Sequence, residues 1–235
     1  MHTNETLGTP RSRRERPAKP ALTRQGTIDA ALAILRDEGL HKVTMRRIAA
    51  ALDTGPASLY VYVRDTEDLH AQILDALLST VRVSAPADGP WRDRLKQLLA
   101  SYMLVLFAYP ELARMAMSTQ PSGPHYLTMV DTILGLLVEG GVPDRDAAWA
   151  VDLLVLFATA EAAEHSARRP SQAADGFASL IAAIATADAA RYPQVARLGT
   201  ELLSGDGDAR IDWALDVLLA GVLATPRTPP DRARP

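Results

Sequence analysis

The chain contains no cysteine. That excludes disulfides, thiol nucleophiles and cysteine-held metals, and it suits a reducing compartment. Aromatic residues are scarce, 5% of 235 residues, against 48% hydrophobic residues in all. A core must therefore be built mainly from Ala, Leu, Val and Ile, a composition that favours packed helices. No apolar run reaches the length needed to span a bilayer. The basic N-terminus is not followed by the apolar segment of a secretory signal. The expectation is a cytoplasmic protein with no membrane partner. Enzyme signatures are missing as well: there is no Gly-rich phosphate loop, no HExxH and no nucleophile elbow. We therefore expect no enzyme, no cofactor and no metal. Glu161 and His165 share one helical face at i,i+4, with Glu164 adjacent, but no third ligand can be named. A polar surface or interface patch is the favoured reading of that pair.

What is present is a charge asymmetry and a motif. The net charge is −3, yet residues 1–62 hold ten Lys/Arg against six Asp/Glu, and residues 63–235 hold fifteen against twenty-two. A basic end on an acidic body directs polyanions to one side. Within the basic part lies Thr44–Leu69, TMRRIAAALDTGPASLYVYVRDTEDL. Thr44 is placed to cap a short helix. Ile48, Ala49 and Leu52 share one face, leaving Arg46 and Arg47 for the other. Asp53-Thr54-Gly55 breaks the helix, and Pro56 restarts one at the first-turn position, where its missing N–H costs nothing. The second helix runs to about Val63 and carries Tyr60 and Tyr62. This is the layout of a helix-turn-helix, whose second helix enters the DNA major groove.

Helical periodicity continues through the rest of the chain, and no strand or internal repeat is evident. The expected spans are Thr23–Glu38, the two short helices, a helix from Asp65, Trp91–Ala108, Pro110 to near Ser118, His125–Glu139, Arg145–Arg168, Phe177–Ala190, a short helix after Tyr192-Pro193, and Ala209–Leu223. Breaks are expected at 84–90, at 121–124 and at a Pro/Ser/Gln segment, 170–174. The fold class is all-α. We expect a basic disordered tail at 1–21, a three-helix DNA-binding domain with a helix-turn-helix at 22–64, a helical ligand-binding and dimerisation domain at 65–225, and a disordered tail at 226–235. Arg11, Arg13, Arg14, Arg16 and Lys19 either reach phosphates or a minor groove, or simply keep the tail soluble.

The order and spacing of TIDAALAILRDEGLHKVTMRRIA, LYVYV at 59–63 and the acidic-Leu start of the fourth helix resemble the TetR/AcrR family of bacterial transcriptional regulators. The resemblance is strongest over residues 22–80. The ending DARIDWALDVLLAGVLA and the long apolar helix before it look like members with a tetracycline-repressor-like regulatory domain. The family's turn usually carries Gly and an aliphatic residue, where this chain has Asp53-Thr54. Gly55 stands where Ser or Thr is common, and Thr66 where Lys is common.

The resemblance implies a homodimeric repressor that binds double-stranded DNA at a palindromic operator and is released by a small-molecule effector, moderately hydrophobic. It places Arg46 where related repressors reach a guanine edge, which suits a guanidinium fork; the competing role is a solvated helix arginine that pairs a phosphate only. Pro56 and Ala57 fall where the recognition helix meets base edges, to touch apolar features such as a thymine methyl or to serve as spacers. Thr44, Ser58, Tyr60, Tyr62 and Arg64 suit phosphate contacts, which set register without reading sequence. Helix 4 would link the DNA-binding helices to the ligand domain. Arg145–Arg168 and Ala209–Leu223 would form the dimer interface, with Leu218 either there or in the subunit's own core. For the effector, Tyr102, Met103, Leu106, Met115, Met117, Tyr126, Met129, Trp149 and Phe157 supply the larger or softer side chains; for each, ordinary core is the competing role. From another functional class, the alternative is a helical interaction protein that does not bind DNA.

Overall fold

The computed structural model describes residues 21–82, 89–117, 119, 121–167 and 170–227. The basic N-terminal tail, most of the 84–90 break and the end of the C-terminal tail lie outside these residues. The described residues form eleven α-helices: α1 Arg24–Glu38, α2 Met45–Ala51, α3 Pro56–Leu59, α4 Thr66–Leu78, α5 Trp91–Ala108, α6 Pro110–Ala116, α7 Pro124–Glu139, α8 Asp144–Ala167, α9 Pro170–Ala185, α10 Pro193–Leu202 and α11 Gly207–Ala224. The fold is all-α, as the composition predicts.

Short polar side chains start several of these helices. Thr23 accepts from Gly26 N at 3.0 Å, Thr44 from Arg47 N at 3.2 Å, Asp65 from Asp68 N at 2.8 Å and Asp206 from Ala209 N at 2.8 Å. Gly39 ends α1 at φ +88° and leads into a 3-10 turn, Leu40–Lys42, that the sequence did not announce. Asp53 takes the left-handed conformation, φ 50°, that the α2–α3 turn requires and that Asp tolerates better than most residues.

Two hydrophobic cores divide the described residues. The first is built from Ile28, Ala31, Ile34, Leu35, Val43, Ile48, Ala49, Leu59, Val63, Leu69 and Ile73, with Leu112 arriving from α6. The second runs from Leu74 and Leu78 through α5, α6, α7 and α8 to Leu215 and Leu219 of α11. The division runs along α4 by face: Leu69 and Ile73, with Ala76 and Leu77 beside them, face the first core, and Leu74 and Leu78 face the second. Helix α8 is the axis of the second core and packs on α5, α6, α7 and α11.

Several expectations need correction. The regular part of α3 ends at Leu59; Tyr62 N and Val63 N both donate to Leu59 O, so the chain turns up to Val63 instead of continuing as a helix. Helix α9 begins at Pro170, because proline is tolerated in a first turn as well as in a loop, and it ends at Ala185. The helix expected at Ala209–Leu223 is α11, since the short one before it is a full helix of its own, α10. Leu218 packs against its own subunit's core, while Val217 beside it is exposed. No single helix among the described residues is long and apolar enough to cross a membrane.

Candidate DNA interface and effector core

The helix-turn-helix forms one exposed surface. Thr44, Arg46, Pro56, Ala57, Ser58, Tyr60 and Arg64 are all exposed on it. Their backbone is held from beneath by Ile48, Ala49, Leu59 and Val63, all fully or nearly buried. The hydroxyl of Thr44 caps α2 as an acceptor, so its own proton stays available to a phosphate oxygen.

The two arginines of α2 have different fates. Arg47 is tied to Glu38 at the end of α1, Nη2 to Oε1 at 2.5 Å. That hydrogen bond holds the Glu38 carboxyl below its ordinary range and raises the guanidinium. No ion pair or hydrogen bond holds Arg46 among the described residues, so its fork is available for a base edge. Arg64 stays largely exposed: its backbone N donates to Asp68 at 2.8 Å, and its guanidinium stands 3.8 Å from that carboxylate.

Tyr62 differs from the other hydroxyl residues. It is half-buried, and its phenol donates to Leu22 O at 2.6 Å. A phenol has a single proton. The one a phosphate contact would use is therefore engaged in anchoring the entry to α1. The sequence could not show this, because the acceptor lies 40 residues away.

Behind this surface, α4 is tied to both halves of the chain. Gln72 Nε2 donates to Tyr62 O at 3.1 Å, at the edge of the DNA-binding helices. Three residues on, Asp75 is buried and accepts from Tyr126 N, in the first turn of α7, at 2.8 Å. Its carboxylate thus caps a helix that has no side-chain cap of its own. Gly123 permits the approach: a Cβ there would lie 2.1 Å from Asp75 Cγ. No sequence signal marked Asp75 as functional. His70, half-buried on α4, has its imidazole pushed down by burial, partly offset by Glu111 of α6.

Of the expected effector residues, Tyr102, Met103, Leu106 and Met129 are buried in the second core, with Met115, Tyr126 and Phe157 packed against it. Tyr102 Oη lies 2.7 Å from Thr159 Oγ1, and burial pushes the phenol up to about 12. Trp149 and Met117 do not join this group. Trp149 is 64% exposed on α8, where the Arg227 guanidinium stacks on its ring at 3.2 Å. Two clefts, of about 650 and 710 Å³, lie where α1 and α4 meet the start of α7 and where α1 meets α5 and α6. None of the expected effector residues lines either.

A second surface is apolar. Trp149, Leu153 and Leu156 form an exposed stripe along α8, and Trp213 and Val217 continue it on α11. The Glu161–His165 pair lies at the far end of α8: Glu161 is half-buried, and the exposed His165 packs its ring on Phe107 at 4.8 Å between centroids. Among the described residues no cluster of three metal-ligating side chains occurs.

Comparison with known proteins agrees with this arrangement. Residues 28–73 match the family described as bacterial regulatory proteins, tetR family, and residues 84–225 match the tetracyclin repressor-like C-terminal domain. A transcription regulator from Streptomyces coelicolor is 46% identical, with a TM-score of 0.74 over 91% of this chain and 100% of that one. The TetR family protein ActR of Streptomyces coelicolor, solved in complex with actinorhodin, is 35% identical, with a TM-score of 0.76 over 87% of this chain and 98% of that one. An HTH-type transcriptional regulator from Saccharopolyspora erythraea is 27% identical over 92% of this chain and 90% of its own length.

Proposed function

Because this chain belongs to the TetR family of bacterial regulatory proteins, we propose that it represses transcription as a cytoplasmic homodimer and leaves its operator when an apolar small molecule enters between α5 and α8. It is a DNA-binding transcriptional regulator, and its family is one of regulators, not enzymes. Arg46 reads a base edge, Pro56 and Ala57 meet apolar features such as a thymine methyl, and Thr44, Ser58, Tyr60 and Arg64 hold phosphates. Tyr62 supports this surface from within. The stripe on α8 and α11 meets its two-fold copy, which sets two recognition helices on successive major grooves.

The observation that carries the reading is the division of α4 between two cores. One helix contributes Leu69 and Ile73 to the DNA-binding half and Leu74 and Leu78 to the half that holds the effector. An effector that favours a different seat for α4 changes the spacing of the recognition helices. ActR, similar over nearly its whole length and solved with actinorhodin, supports a small-molecule effector here.

The test is a gel shift on the DNA upstream of this protein's own gene. A retarded band that maps to an imperfect palindrome and weakens steeply with salt is expected. The alternative, a helical interaction protein, gives no retardation on any DNA beyond a non-specific control.

A further inference from the structure

Among the described residues, the helices of the second core bury Arg94 and Asp146 near their ends, and between α5 and α8 they bury a chain of hydroxyls. Thr159, 4% exposed, donates to Val155 O at 2.7 Å. A threonine hydroxyl has one proton, so with that proton on Val155 O the 2.7 Å contact between Thr159 Oγ1 and Tyr102 Oη is made with the tyrosine proton. The arrangement that leaves neither buried proton unpaired is Tyr102 donating to Thr159 and Thr159 donating to Val155 O. Tyr102 Oη then keeps its lone pairs, and among the described residues nothing donates to it. Burial raises the phenol, the Thr159 hydrogen bond offsets part of the rise, and nearby Tyr126 adds to it. A buried acceptor without a donor favours any guest that supplies one.

We propose that Tyr102 Oη is the specificity-determining acceptor of the effector site, selecting neutral apolar molecules that carry a hydroxyl. The proposal rests on the reading that the effector sits within the helices from α5 to α8. Met103 and Met129 share the same core, and unbranched thioether side chains re-pack readily around an aromatic body. A guest that is only an acceptor finds no proton to take, because the Tyr102 proton is engaged.

The probes are 2-naphthol and 2-methoxynaphthalene, which differ by one methyl on the oxygen. Binding is followed by the ε-methyl NMR signals of Met103 and Met129 in the full-length protein. The expected result is that both probes shift these signals and that 2-naphthol binds about tenfold more tightly, the scale of one buried neutral hydrogen bond. Tyr102→Phe removes the acceptor and should bring the two affinities within about twofold. Thr159→Val keeps the volume but frees the Tyr102 proton, so 2-methoxynaphthalene should gain affinity and the preference should narrow or reverse. A purely structural role for the pair would lower both affinities together and leave their ratio alone. Equal wild-type affinities with the methyl signals shifted would overturn the proposal and leave the effector site standing. No shift at Met103 or Met129 with either probe would overturn the site itself.

Discussion

At the scale of single residues, neighbours on α2 have different work. Arg46→Ala should relax base preference at one position per half-site and cost about 1–3 kcal/mol for each bidentate pair of hydrogen bonds to a base. Sequencing of DNA selected by the variant checks this; an unchanged preferred sequence would reassign Arg46 to phosphate. Tyr62→Phe should instead cost stability, about 1 kcal/mol for the missing bond to Leu22 O, read from urea denaturation. His70 gives a pH signature. Its folded-state value is pushed below the ordinary 6.5, so the unfolded chain binds the extra proton first. Its contribution is intact above the unfolded value and is lost as pH falls through 6.5 towards the lower folded value. The melting temperature of wild type should therefore drop between pH 7.5 and 5.5 by more than that of His70→Gln, and parallel curves would dismiss the effect.

At the scale of elements, the Asp75 clasp joins α4 to α7. Asp75→Ala should cost about 1 kcal/mol, the usual worth of a helix cap, and speed hydrogen exchange at the Tyr126 amide. Asp75→Asn keeps an acceptor and should recover most of both. Gly123→Ala should cost about 1–3 kcal/mol, because its Cβ would sit inside the Asp75 carboxylate. These effects mark where sequence reading stops. Local chemistry was legible: Thr44 and Asp65 announce their helices, and the Asp53-Thr54-Gly55 turn announces the motif. Asp75 was not legible, since its partner lies 51 residues away and exists only once the helices have packed. Trp149 misled for a related reason. A large aromatic on an apolar helix reads as interior, but the several apolar faces of α8 cannot all be covered by one subunit.

At the scale of the whole molecule, that surplus of apolar surface argues for a second copy. Trp213→Glu should give a monomer in sedimentation at micromolar concentration and lose tight operator binding with it. The wild type should sediment as a dimer under the same conditions. The shared ownership of α4 has a further consequence, for recombination. A hybrid repressor joined at residue 64 would receive Leu59 and Val63 from one parent and the residues that close over them, Leu69, Ile73 and Leu112, from the other. Such a joint cuts through a core. Moving α4 with the head instead would take Leu74 and Leu78 out of the second core, so operator specificity and effector response are inherited less independently than a two-module drawing of the chain suggests.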